Sequence, residues 1–130
     1  MKNIIEESYS FMKDNDKEFA IYADYESGIK SLTYGEIKLY ISGINKIVGI
    51  NQYTQSIGIL IENKLEFIKA FFSILYNGYT VVGIDPNITE EGLEKIINEN
   101  KLKYILTNNL NMDKLLKYRN TKIINIEKLS

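Results

Sequence analysis

The sequence contains neither cysteine nor histidine. That removes thiolate nucleophiles, disulfides, imidazole bases and the usual zinc ligands together. Proline occurs once and glycine eight times, which leaves little material for linkers and no sign of an internal boundary, repeat or low-complexity tract. No run of about 18 apolar residues occurs, so no membrane-spanning helix is expected. The first residues, Met1-Lys2-Asn3-Ile4-Ile5-Glu6-Glu7, turn acidic at once and do not resemble a secretory signal. A cytoplasmic location is the resulting expectation. Neither sign of charge is in excess: 16 basic residues face 17 acidic ones, for a net charge of -1. The basic clusters, such as residues 114–119, are short and interrupted by Leu and Tyr, unlike a phosphate-backbone footprint. Nucleic acid is therefore a poor candidate partner.

What is present is a chain of 130 residues with 45% apolar content. A chain of this size buries roughly two thirds of the surface it exposes when unfolded, so it can build a core without staples. It reads as one α/β unit over residues 1–130. An amphipathic helix carrying Ile4, Ile5, Tyr9, Phe11 and Met12 is expected first. A strand follows over 19–23, then a turn over 24–30 containing Gly28, and a short return strand over 31–33 that makes a hairpin.

The next helix has a marked start. Thr33 and Glu36 form the T-x-x-E pattern of a capping box, in which two side chains satisfy two orphan backbone donors. Leu32 and Ile37 are spaced for a hydrophobic staple. Ile37, Tyr40, Ile41, Ile44, Ile47 and Val48 keep helical spacing, and Gly49 is a terminator. Residues 56–61 form a nearly continuous apolar run, suited to a strand covered on both faces. Asn63, with Glu66 three residues on, starts a helix to about Asn77. It is apolar around most of its circumference and should be buried on more than one side. Gly78 ends it. A strand over 79–84, a helix from Thr89 with the stripe Leu93, Ile96 and Ile97, a strand over 103–107, a short helix over 113–119 and a strand over 122–126 complete the chain. From Ile57 onward the order is β-α-β-α-β-α-β. Strands joined through helices are expected to be parallel neighbours with right-handed crossovers. The fold class is α/β: an open, doubly wound, mostly parallel sheet with a β-hairpin in front.

Two stretches carry a resemblance. Leu32-Thr33-Tyr34-Gly35-Glu36-Ile37 resembles the first core motif of adenylate-forming enzymes, L-T-Y-x-E-L. Leu75-Tyr76-Asn77-Gly78-Tyr79-Thr80-Val81-Val82-Gly83-Ile84-Asp85-Pro86 resembles the second, L-x-A-G-x-x-x-V-P-I-D-P. Asn63-Lys64-Leu65-Glu66-Phe67 is similar to the family's N-S-x-E-F step, and residues 96–107 to its I-L-x-D-S-x-A-K-x-L-L-T stretch. Order and spacing agree from about Phe19 to Thr107. The sequence departs from the motif at Asn77, where the family has Ala, and at Gly83, where it usually has Pro. The family contains acyl- and aryl-CoA synthetases, luciferases and the adenylation domains of nonribosomal peptide synthetases. The resemblance implies the amino-terminal subdomain of a larger ligase. That ligase would use ATP and magnesium, with CoA or a carrier protein as acceptor.

The same resemblance implies that the Gly- and Ser/Thr-rich phosphate loop, the acidic ligands and the mobile lysine lie beyond this region. These 130 residues contain no G-x-x-x-x-G-K-[ST] and no G-x-G-x-x-G. No catalytic, cofactor-binding or metal-binding residue is therefore assigned within them, and no cofactor is expected for this stretch alone. Thr33 and Glu36 read as a cap. Gly78 and Gly83 read as a terminator and a tight packing point. Glu62, Asn63, Asp85, Asn108 and Asn109 follow the carboxyl ends of the expected strands, where open α/β sheets place ligands, but caps and turns favour the same residues there. The tyrosines, ten in all, read as packing. Two other classes compete. One is an interaction module derived from such a subdomain, docking or self-associating through the face the rest of the enzyme would cover. The other is a flavodoxin-like receiver or nucleotide-binding domain, which needs paired acids after its first parallel strand where this sequence has Glu62-Asn63.

Overall fold

A computed structural model describes residues 18–24, 28–48 and 56–129. The expected opening helix, the staple at Leu32 and the terminator Gly49 fall on residues or side chains outside that description.

The chain begins with an antiparallel hairpin of β1 (Glu18–Asp24) and β2 (Gly28–Thr33). Helix α1 (Tyr34–Val48) follows directly. Thr33 Oγ1 accepts from the Glu36 amide at 3.1 Å, so the forward half of the capping box is formed. The return bond is not among those of the described residues. Glu36 Oε2 lies 3.7 Å from Lys69 Nζ, so the acid reaches across to the neighbouring helix. Ile37, Ile41 and Ile44 form the buried stripe of α1, with Tyr40, Ile47 and Val48 half-buried beside it.

Four parallel strands follow: β3 (Ser56–Leu60), β4 (Thr80–Gly83), β5 (Tyr104–Thr107) and β6 (Lys122–Asn125). Their order in the sheet is β4-β3-β5-β6. The helices between them are α2 (Lys64–Tyr76), α3 (Glu90–Glu99) and α4 (Met112–Leu115). Asn63 Oδ1 caps α2 by accepting from the Glu66 amide at 3.0 Å, and Thr89 Oγ1 caps α3 through the Gly92 amide at 3.1 Å.

The apolar residues sort onto two faces because successive strand residues point oppositely. On one face Ile57, Ile59, Leu106 and Ile124 pack under Ala70 and Ile74 of α2 and Ile44 of α1. On the other, Leu60, Ile105 and Ile123 pack against Leu93 and Ile97 of α3 and Leu115 of α4. Helix α2 also turns Leu65, Ile68, Phe72 and Tyr76 toward Ile37 and Ile41, so it is buried on two sides, as its apolar circumference implies. The tyrosines whose side chains are described (Tyr34, Tyr40, Tyr76, Tyr79, Tyr104 and Tyr118) all belong to these clusters.

Three expectations are corrected. Strands β4 and β5 are joined by α3 but are not neighbours, because β3 lies between them. Helix α3 covers the face opposite α2, so a crossover of constant hand carries the chain back past β3. The helix expected over 113–119 is only Met112–Leu115, preceded by a 3-10 turn, Asn109–Asn111. It stops early because the Tyr118 amide turns back to the Leu115 carbonyl at 3.1 Å on the way to β6. Gly83 is not a tight packing point: a Cβ there would lie 4.0 Å from the Phe67 ring, an ordinary contact. Gly58 in β3 is far tighter. A Cβ on it would meet Ile84, Leu102 and Ile105 side-chain carbons at 3.0 to 3.2 Å.

Candidate functional site at the carboxyl edge of the sheet

The winding direction reverses between β3 and β5, since β4 lies to one side of β3 and β5 and β6 lie to the other. Open α/β sheets leave a crevice for ligands at such a point, outside the carboxyl ends of the strands. Here the two strand ends are stitched together. Thr107 Oγ1, fully buried at the end of β5, donates to the Leu60 carbonyl at the end of β3 at 2.7 Å.

Just beyond it the polar side chains form a network. Asn108 is 2% exposed. Its Nδ2 donates to Glu62 Oε1 at 2.9 Å and to Glu66 Oε1 at 3.0 Å. Asn111 Nδ2 donates to Asn108 Oδ1 at 2.8 Å and also to Glu62 Oε2. A second chain of bonds continues to the end of β6. The Asn109 amide donates to Glu127 Oε2 at 2.6 Å, and Asn125 Nδ2 donates to Asn109 Oδ1 at 2.6 Å. Burial pushes the Glu66 carboxyl above its ordinary pKa. The Asn108 bond opposes that shift, the charges of Glu127 and Glu62 add to it, and Lys69 opposes it.

Of the five strand-end residues singled out in the sequence, the structure thus brings together Glu62, Asn108 and Asn109. Asn63 sits next to them as the cap of α2. Asp85 stands apart, after β4, where its carboxylate accepts from the Asn87 amide at 2.9 Å and shapes a turn. Lys114 Nζ holds that turn by donating to the Pro86 carbonyl at 2.7 Å. Sequence reasoning misses Glu66, Asn111, Asn125 and Glu127 as members of the network. The spacing gives Glu66 a place in the cap alone, yet its amide caps α2 while its carboxylate joins Asn108. Asn111 joins because β3 and β5 are adjacent, and Asn125 and Glu127 because β5 and β6 are, which spacing along the chain does not reveal.

The chemistry of this cluster is that of a clamp. Both oxygens of Glu62 are engaged by amide donors, and so is one of Glu66. Among the described residues no group of three His, Cys, Asp or Glu side chains is placed to hold a metal ion. The phosphates of a nucleotide need converging N–H donors or cations. This edge presents the carboxylates of Glu62 and Glu66, which are bonded to asparagine side-chain amides. Directly after β3, where a receiver has paired acids, Glu62 is followed by Asn63, and both Glu62 oxygens are bonded to asparagine amides.

The departure at Asn77 has a local reason. Asn77 follows α2, and its Nδ2 donates to the Ile41 carbonyl at 2.9 Å and the Ser73 carbonyl at 2.7 Å. Its Oδ1 accepts from Asn45 Nδ2 at 2.9 Å. One side chain therefore ties α1 to the end of α2, which an alanine cannot do. Gly78 then takes φ +83°, a conformation in which L side chains are strained, and turns the chain toward β4.

An open parallel sheet covered on both faces, entered through a hairpin and a capped helix, is the framework of adenylate-forming domains. Over residues 10–129 the sequence matches the AMP-binding enzyme family, and the chain belongs to that family. No curated protein matches it by sequence. Among solved structures it is similar to a fatty acyl-adenylate ligase from L. pneumophila in complex with acyl adenylate and pyrophosphate, with TM-score 0.74 and 20% identity. That similarity covers 97% of this chain and 23% of the ligase. It is also similar to the nonribosomal peptide synthetase FmoA3, with TM-score 0.79 and 17% identity over 98% of this chain and 14% of that one. A third is the O-succinylbenzoate coenzyme A synthetase of Bacillus subtilis in complex with ATP and magnesium, with TM-score 0.74 and 14% identity. There the match covers 99% of this chain and 34% of the synthetase. The chain thus spans about a third or less of each.

Proposed function

We propose that residues 1–130 form a single structural subdomain, the amino-terminal one, of a cytoplasmic ATP-dependent ligase that adenylates a carboxylic acid. In the reaction such a ligase performs, a carboxylate oxygen attacks the α-phosphate of ATP, pyrophosphate leaves, and an acyl-adenylate forms. A thiol of CoA or of a carrier protein then takes the acyl group and releases AMP. ATP and magnesium belong to the whole enzyme, and so does the carboxylate pocket. The part played here is to present a rigid sheet edge against which the remainder of the ligase is assembled.

The observation that carries this reading is the state of the carboxyl edge. The family's fold is present, yet the polar groups at its switch point are bonded to one another as a clamp. The loop ends after β3, β5 and β6 are held by Glu62, Asn108, Asn111 and Glu127. This supports a scaffold with no catalytic, cofactor-binding or metal-binding residue of its own. Calorimetric titration of the 130-residue chain with magnesium-ATP tests it. No saturation is expected up to about 1 mM, equivalent to binding weaker than about 4 kcal/mol. A dissociation constant in the micromolar range would show that the edge is a nucleotide site after all.

A further inference from the structure

Asn77 is the one asparagine in the sequence that glycine follows. Asparagine counts among the thermolabile residues, and this pairing is its most labile setting. A backbone N–H with no Cβ beside it is the least hindered nucleophile for the side-chain amide carbon one residue back. The Gly78 nitrogen gives its proton to water and bonds to Asn77 Cγ. The Cγ–Nδ2 bond breaks, and that nitrogen leaves as ammonia. Water then opens the cyclic imide. Cleavage at Cγ leaves aspartate. Cleavage at the main-chain carbonyl leaves isoaspartate, which adds a carbon to the backbone. The net change is water taken up and ammonia lost, with no oxidation or reduction.

The fold holds this site shut. Asn77 has ψ 0°, so the Gly78 nitrogen eclipses the backbone nitrogen of Asn77, whereas ring closure needs it to eclipse Cβ. The Gly78 amide donates to the Leu75 carbonyl at 3.0 Å, so the proton that must leave is engaged. Asn77 Nδ2 is held by the Ile41 and Ser73 carbonyls, and Oδ1 by Asn45 Nδ2, so Cγ cannot swing toward Gly78. These restraints are released together when the end of α2 frays and parts from α1. Water is at hand there, because Gly78 is exposed and a Cβ on it would meet nothing within 4 Å. The products do not fit the place that asparagine leaves. An aspartate carboxylate only accepts, and it would face the Ile41 and Ser73 carbonyls, which only accept as well. Isoaspartate lengthens the backbone just before the left-handed turn at Gly78. We propose that Asn77-Gly78 is a latent deamidation site, hydrolysed by water through the open state of the tie between α1 and α2, and that hydrolysis makes this opening permanent. Position 77 departs from the family motif, so this one-way device is a property of this chain and stands apart from the ligase reading.

The test incubates the 130-residue chain at neutral pH, folded in buffer and unfolded in guanidinium chloride. Peptide mapping by mass spectrometry follows Asn77. The unfolded chain should convert Asn77 to a mixture of aspartate and isoaspartate. Asn87 and Asn125, each followed by isoleucine, should stay intact over the same time. The folded chain should convert Asn77 at least about tenfold more slowly, since only the open fraction reacts. Asn77→Asp, which installs a product outright, should melt lower than Asn77→Ala, which removes the same bonds and adds no charge. Equal rates in the folded and unfolded chains would overturn the proposal, because the fold would not be guarding the site. So would an unfolded chain in which Asn77 outlasts Asn87, or an Asn77→Asp chain that melts at or above Asn77→Ala. If the variants do not fold, partly deamidated wild type replaces them. Amide exchange at the end of α1 must then be faster in the deamidated molecules than in the intact ones, and equal exchange would overturn the proposal.

Discussion

At the residue scale, the helix caps are legible in the sequence because they are local. Thr33, Asn63 and Thr89 each accept from an amide three residues on, the bond that Ser, Thr, Asn and Asp make at a helix start. Thr33→Ala should cost roughly 0.5–2 kcal/mol and lower the melting temperature by several degrees, about what that loss means for a domain of this size. Thermal denaturation followed by circular dichroism checks it, and melting like wild type would contradict the cap. Gly58 is less legible, because its tightness comes from Ile84, Leu102 and Ile105, which lie far along the chain. Gly58→Val should lower the urea midpoint without changing the slope. The overpacking cost is about 1–3 kcal/mol. Glu66 gives a pH prediction. Its folded pKa is raised, so the fold favours the protonated form, and that contribution is complete below the unfolded value and is lost as pH rises through the folded one. At neutral pH the ionised carboxylate therefore costs stability. Glu66→Gln keeps an oxygen for Asn108 and should melt higher than wild type at pH 7. The gap should close as pH falls below the ordinary carboxylate range. A gap independent of pH would show that burial of the charge is not the cause.

At the scale of elements, periodicity suffices for type and approximate extent. The run at β3 and the two-sided apolar surface of α2 are both readable, since burial on both sides leaves no polar stripe. The sheet order is not. Whether β5 lies beside β4 or beside β3 depends on which face α3 covers, and its stripe of Leu93, Ile96 and Ile97 fits either face equally. The length of α4 is also hidden, because the turn that ends it serves the approach to β6. Asn77 links two elements, and Asn77→Ala, which restores the family's usual residue, removes its bonds to Ile41, Ser73 and Asn45. Losing these hydrogen bonds should cost about 0.5–1.5 kcal/mol apiece. The loss should appear in hydrogen exchange as faster opening at the end of α1, with β5 and β6 little changed. Uniform acceleration across the sheet would show that the tie between α1 and α2 is not what the side chain provides.

At the scale of the whole molecule, the fold serves as a frame. Two helix layers enclose a parallel sheet, and the polar groups at its carboxyl edge clamp the loop ends to one another. Among the described residues no helix is long and apolar enough to cross a membrane. The family is legible in the sequence because its motifs fall on structural necessities: the cap at Thr33, the turn at Gly78 and the Asp85-Pro86 corner. The clamp is not, because Glu62, Asn108, Asn111 and Glu127 meet only once β3, β5 and β6 have taken their places. The central proposal is that this frame carries no reacting group for adenylating a carboxylic acid. Its most direct test is isotope exchange between pyrophosphate and ATP by the 130-residue chain, with magnesium and a panel of fatty, aryl and amino acids. The account predicts no exchange above a control without protein. Exchange that depends on one acid and survives further purification would contradict it, and would place adenylating groups within these residues.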